Sequence, residues 1–185
     1  MRTRESSAAV GAIASSGAAP KVVIVAGASR GIGAAIARGL AAAGYAVVVG
    51  YARDEASAAA VVADIRTAGG TALAVQSDVS THAGVAALFD AAEATFGDGA
   101  ASAGGSAETR PRVVHAIVNN AGIGMPAMLS IADTPDDLVD SMLAVNTKSV
   151  LYALKEASAR LRDGGRVVNI STTIVATSVP GYGVY

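Results

Sequence analysis

The sequence predicts an α/β fold, a doubly wound parallel sheet with helices on both faces. Two observations lead there. Short, continuous β-branched runs recur along the chain, and segments of helical length and pattern separate them. The runs lack alternating polar residues, which suits strands covered on both faces better than half-exposed ones. The chain has 185 residues, 52% of them hydrophobic, enough apolar material to bury a core.

The elements follow in order. Val22–Val25 is the first strand. Ile32–Ala43 is an Ala-rich helix with Ile36 and Leu40 four apart, and Gly44 is its C-terminal cap. Ala46–Val49 is the second strand, with Tyr51 at its tip, and helix Glu55–Ala68 ends at Gly69-Gly70. Leu73–Val75 is the third strand, followed by helix Ala83–Phe96 and Gly97. Val113–Val118 is the fourth. A single long helix, Asp136–Leu161, opens with Thr134-Pro135-Asp136-Asp137 and closes at Gly164-Gly165. Val167–Ile170 is the fifth strand.

Composition removes several classes of function. A formal net charge of −1 leaves no electrostatic footprint for nucleic acid or anionic lipid. The absence of Cys excludes a disulfide scaffold and a thiolate nucleophile, and His82 and His115 are too far apart in sequence to suggest a metal site. Residues 1–20 carry two Arg followed by Ala, Gly and Ser, and read as a flexible leader, because an export signal would need a Leu-, Phe- or Val-rich run. No stretch reads as a membrane span, so the expected location is the cytoplasm. Residues 98–112, DGAASAGGSAETRPR, read as a loop insertion.

The motif with most chemical content is VVIVAGASRGIGAAIARGL. Gly27, Gly31 and Gly33 follow a strand and open a helix, the setting of a dinucleotide-binding loop. Gly27 permits the tight turn, Gly31 lets the backbone approach a pyrophosphate, and Gly33 lets helix and strand pack closely. The helix N-terminus offers N–H donors to phosphate. At the end of the second strand an acid would select the ribose of NAD. Here Tyr51 is followed by Ala52 and Arg53, and Arg30 is a second cation near the same pocket, so the sequence favours NADP over NAD. Asp54 has about the right spacing for the ribose role, but it lies past the strand end, where it starts the next helix.

These residues resemble the short-chain dehydrogenase/reductase family, in particular members like 3-oxoacyl-(acyl-carrier-protein) reductase. The glycine loop is similar to the family's T-G-x-x-x-G-I-G with Ala26 in place of Thr. Asp78-Val79 resembles its adenine-contacting pair, and Asn119-Asn120-Ala121-Gly122 its N-N-A-G. Asn146 matches the Asn of the proton relay. GRVVNIST and PGYGVY resemble the segments that carry the catalytic hydroxyl and Tyr. The resemblance spans 21–185 and implies one Rossmann-like dinucleotide-binding domain there. It implies cofactor contacts from Gly27, Ser29, Arg30, Gly31, Ile32, Gly33, Arg53, Asp78, Val79, Asn120, Ala121 and Gly122.

Carried over to this chain, the resemblance makes Tyr185 the acid/base, Thr172 the hydroxyl that orients the substrate carbonyl, and Asn146 the relay residue. Thr172 lies thirteen residues before Tyr185, the family's Ser-to-Tyr spacing, and alternation along a strand would turn Ser171 and Thr173 to the other face, so Thr172 is the expected site hydroxyl and Ser171 the fallback. The family's lysine, four residues after its Tyr, would fall at 189. The expected protein is therefore the front part of a longer fold whose last strands lie beyond Tyr185, and its full-length form is expected to be a homo-oligomer, a dimer or tetramer. The expected activity is NADP-dependent hydride transfer between nicotinamide and a small carbonyl or secondary alcohol, with no metal. The alternatives are a dinucleotide-binding module without turnover, or a product left unstable by an exposed apolar fifth strand.

Overall fold

The computed structural model describes residues 20–97, 112–177 and 179–185. Nearly all of the expected leader and of the 98–112 insertion lies outside these residues. The five apolar runs pair as one parallel sheet in the order β3-β2-β1-β4-β5. The strands are β1 Val22–Ala26, β2 Ala46–Tyr51, β3 Thr71–Gln76, β4 Val114–Asn119 and β5 Leu161–Asn169. Both central strands β1 and β2 are buried at every residue. The order in which strands are added reverses between β1 and β4, the switch point at whose carboxyl ends sheets of this kind place a ligand crevice.

Helices cover both faces. On one side lie α1 (Gly31–Ala42) and α2 (Glu55–Thr67), packed on Val23, Val25, Val47 and Val49. On the other lie α3 (His82–Phe96) and, later in the chain, α5 (Ser149–Arg160), packed on Val22, Ile24 and Val48. Successive strand residues thus serve opposite layers, as the period of two requires. Ala34, Ala37 and Ala41 form the buried stripe of α1, and their small side chains let that helix approach the sheet closely. Among the described residues no helix is long and apolar enough to cross a membrane.

Two expectations need correction. The helix expected over Asp136–Leu161 is broken: α4 (Asp136–Leu143) passes through a five-residue π turn, Ala144–Lys148, into α5. The backbone stays helical through the junction, so the apolar spacing gives no warning of it. The fifth strand also starts earlier than Val167. Leu161 already pairs with Val114, and the next pair is Arg166 with Ala116, so residues 162–165 bulge from the ladder. Gly164 turns that bulge at φ +74, and its Gly-Gly sequence mimics a helix stop.

A polar clasp joins α3 to α5. The Arg160 guanidinium reaches Asp90 at 2.6 Å, Glu93 at 2.7 Å and Glu156 at 2.9 Å, and lies over the Phe89 ring. Its side chain is 12% exposed, with Glu93 at 9% and Glu156 at 13%. Burial alone would lower the Arg160 pKa, but the hydrogen bonds it donates to these three carboxylates raise it. His82 continues the clasp, with Nε2 2.6 Å from Glu156 and its ring stacked on Tyr152. The other histidine, His115, lies on β4 with Nδ1 3.1 Å from the Val22 amide and 2.9 Å from the Val113 carbonyl. It is a structural residue near the start of β4, between β1 and β5, and shares no hydrogen bond with the clasp among the described residues.

Removing the shared cation takes a charged hydrogen-bond donor from two largely buried carboxylates, Glu93 and Glu156. Arg160→Ala is expected to cost about 3 kcal/mol, the scale of breaking a buried pair from one side. That loss corresponds to a Tm lower by roughly 8 °C, which a thermal melt measures. Burial raises the Glu156 carboxyl, and hydrogen bonds from Arg160 and His82 outweigh it, leaving the group below its ordinary 4.5. A carboxyl depressed in the folded state adds stability that is complete above its unfolded value and lost as pH falls through the folded one. Urea unfolding at about pH 4 should therefore show a loss relative to about pH 7, and Glu156→Gln should reduce that difference.

Candidate cofactor and active site

The crevice is closed at its base by contact between two loops. Gly27, at φ +71, lies so near β4's exit that a Cβ there would come within 2.7 Å of the Ala121 Cα. A Cβ on Gly33 would overlap the Gly27 carbonyl and meet Asn120 Nδ2 at 2.5 Å. That same amide donates to the Gly27 carbonyl at 2.8 Å and the Ala26 carbonyl at 3.3 Å. Glycine at 27 and 33 is therefore required by packing as well as by turn geometry.

Gly31 differs: it has φ +56, and nothing lies within 4 Å of where a Cβ would stand. It opens α1, whose N-cap Arg30 makes no side-chain cap and whose first turn holds no acid. The first-turn amides thus have neither a capping side chain nor a neighbouring carboxylate to answer them. Ser29 is half-buried, and Arg30, Gly31 and Ile32 are exposed around the same opening. These features fit the phosphates of a dinucleotide.

At the rim formed by β2 and β3, Arg53 is exposed, and neither it nor Arg30 forms an ion pair among the described residues. Asp54 caps α2, accepting from the Ser57 amide at 3.0 Å and the Ser57 hydroxyl at 2.7 Å. These two bonds, helped by the Arg30 charge, hold its carboxyl below the usual carboxylate range. The helix start expected at Asp54 is thus where the helix begins. Past β3, Asp78 accepts from the Ser80 amide at 3.0 Å and is exposed, while Val79 packs toward the core.

Across the crevice, the π turn presents Asn146. Its Oδ1 accepts from the Ile123 amide at 2.9 Å, and its Nδ2 donates to the Ile123 carbonyl at 2.9 Å. A π turn re-aims side chains within an otherwise regular helix. Here it aims one amide at both polar groups of one residue. Gly122 also borders Asn146 Oδ1, and Gly124 borders the Tyr185 ring. Sequence reasoning misses Ile123 and Gly124; their only signal is that they directly follow Asn119–Gly122.

Thr172 and Tyr185 lie in the segment after β5. Because β5 ends at Asn169, strand alternation does not reach Thr172. That residue instead caps a short 3-10 turn, Thr173–Ala176, accepting from the Ile174 amide at 3.3 Å. Ser171 is exposed. Tyr185 is 41% exposed and meets Tyr182 edge to face. Both tyrosines line an open cleft of about 560 Å³ with Ile174 and Pro180. Met128 and Ile131 lie against Gly181 and Gly183 and are themselves 67% and 65% exposed. Among the described residues no hydrogen bond joins Thr172, Tyr185 and Asn146 to one another.

Known proteins resemble this chain in sequence and in fold. Residues 21–185 match the sequence profile of the family described as short chain dehydrogenase. A short-chain type dehydrogenase/reductase of Picea abies is 35% identical over 89% of this chain and 58% of its own length. An NADPH-dependent aldehyde reductase-like protein of Arabidopsis thaliana, described as chloroplastic, is 36% identical over 90% and 61%. Among solved structures, the landomycin C-6 ketoreductase LanV with bound NADP and rabelomycin superposes at a TM-score of 0.77. It is 33% identical, covering 89% of this chain and 63% of LanV. The chain therefore spans about three-fifths of the length of the curated relatives it matches. With the family profile matched over residues 21–185, nearly the whole sequence, the chain belongs to the short-chain dehydrogenase family.

Proposed function

We propose that this chain carries the cofactor site and the proton donor of an NADP-dependent oxidoreductase acting on a small carbonyl or secondary alcohol. The observation that carries the proposal is the crevice between β1 and β4. On one side it has an uncapped helix start at Gly31, and on the other Asn146 clamped to Ile123 beside Gly124 and Tyr185. In this reading the first-turn amides of α1 take the pyrophosphate, with Ser29 and Ile32 bordering it. Arg53 and Arg30 take the 2′-phosphate, Asp78 and Val79 border the adenine, and Asn120, Ala121 and Gly122 shape the floor. The NADP-bound LanV and the NADPH-dependent aldehyde reductase-like relative support this choice of cofactor.

When bound, the reduced nicotinamide supplies hydride. Tyr185 gives the hydroxyl proton to the carbonyl oxygen as that oxygen gains negative charge. Thr172, whose hydroxyl both donates and accepts, orients the carbonyl once it leaves the Ile174 amide. Asn146 holds the water that restores the Tyr185 proton.

A second reading, a dinucleotide-binding module without turnover, is favoured by one observation. The Thr172 hydroxyl is engaged locally and shares no bond with Tyr185. Fluorescence titration with NADPH followed by a carbonyl-reduction assay separates the two. Saturable binding with turnover supports the enzyme, and binding without turnover supports the module.

Arg53→Ala should weaken NADPH binding about tenfold, on the scale of a charge-assisted pair, with NADH binding unchanged. Tyr185→Phe should leave NADPH binding unchanged and lower carbonyl reduction at least about a hundredfold. Tighter binding of NADH than NADPH by the unaltered protein would overturn the cofactor assignment.

A further inference from the structure

We propose that Ser57 sets the choice between NADP and NAD by tethering Asp54 in the cap of α2. The inference rests on the reading of this crevice as an NADP site. Asp54 immediately follows Arg53 at the rim of that site, and a carboxylate at the end of a second strand is the group that would bind a free ribose hydroxyl. It would also be the nearest anion able to neutralise Arg53 and Arg30. Either outcome disfavours a 2′-phosphate.

The geometry holds the carboxylate in the cap, where it feels the Arg30 charge but makes no ion pair with Arg30 or Arg53 among the described residues. Ser57 engages the two Asp54 oxygens separately, with its amide 3.0 Å from Oδ1 and its hydroxyl 2.7 Å from Oδ2. Two bonds from one residue fix the carboxylate's torsions, so it cannot turn toward the crevice without losing at least one. The preceding backbone is held as well: Gln76 Nε2 donates to the Ala52 carbonyl at 3.1 Å. Arg53 thus stands between two anchored neighbours, exposed and without an ion pair among the described residues. The hydrogen bonds from Ser57, helped by the Arg30 charge, favour the ionised Asp54 carboxylate, which makes its direction matter.

The tether predicts coupling between Ser57 and Asp54 that simple helix capping does not. Dissociation constants for NADPH and NADH, measured by nicotinamide fluorescence on the 185-residue chain, give the ratio to follow. Ser57→Ala should lower the NADPH preference about tenfold, the scale of a hydrogen bond to a charged group. Ser57→Thr, which keeps the hydroxyl, should restore it. Asn caps helices as well as Asp does, so in an Asp54→Asn background Ser57→Ala should leave the ratio unchanged. Should Ser57→Ala fail to fold, Ser57→Gln keeps a residue favoured at this helix position and should show the same drop.

An unchanged ratio in a folded Ser57 variant, with the parent protein preferring NADPH, overturns the tether alone. An equal shift with and without Asp54 does the same. A parent protein that prefers NADH, or that binds neither cofactor, overturns the NADP reading and the tether with it.

Discussion

The structure depends on how closely two loops approach at the point where the sheet changes direction. Gly27 lies against the Ala121 backbone, Gly33 against the Gly27 carbonyl, and Asn120 ties both loops together. No Cβ fits at Gly27 or Gly33, so β1, β4 and the start of α1 are fixed as a single unit. Because that unit is rigid, Gly31 and the first turn of α1 can remain open. The same loop thus combines close packing at Gly27 and Gly33 with open space at Gly31.

The rest of the fold supports this unit from both sides. Alternate residues of β1 and β2 feed two apolar layers, and the Ala-rich face of α1 brings one helix close to the sheet. On the other layer, the Arg160 clasp fixes α5 against α3 and thereby the π turn that precedes α5. Asn146 is aimed from that turn, so a polar cluster at the far end of α5 bears on where the site amide stands.

Most of the fold was legible because it rests on short-range patterns. Buried β-branched runs, helix-ending glycines at 44 and 69, and the spacing of Gly27, Gly31 and Gly33 all act within a few residues. The Asp54 cap was readable for the same reason. What escaped notice depends on neighbours distant in sequence. A π turn preserves helical spacing, so Asn146 could be named but its clamp on Ile123 could not. The early start of β5 depends on pairing with β4 across a bulge that looks like a helix stop. Thr172 was assigned by resemblance, from its spacing to Tyr185, and the strand alternation used to set aside its neighbours does not apply because β5 ends at Asn169. The clasp between α3 and α5 shows only its local Glu156–Arg160 pair in the sequence, while Asp90, Glu93 and His82 arrive through packing.

The central claim is that the backbone at the β1–β4 crevice binds dinucleotide phosphates. Hydrogen–deuterium exchange with and without saturating NADPH tests it most directly. The account predicts slowed exchange at the amides of residues 29–34 and 120–123, with the amides of α3 and β5's bulge unaffected. Protection confined to other segments, or none at a concentration that saturates nicotinamide fluorescence, would contradict it.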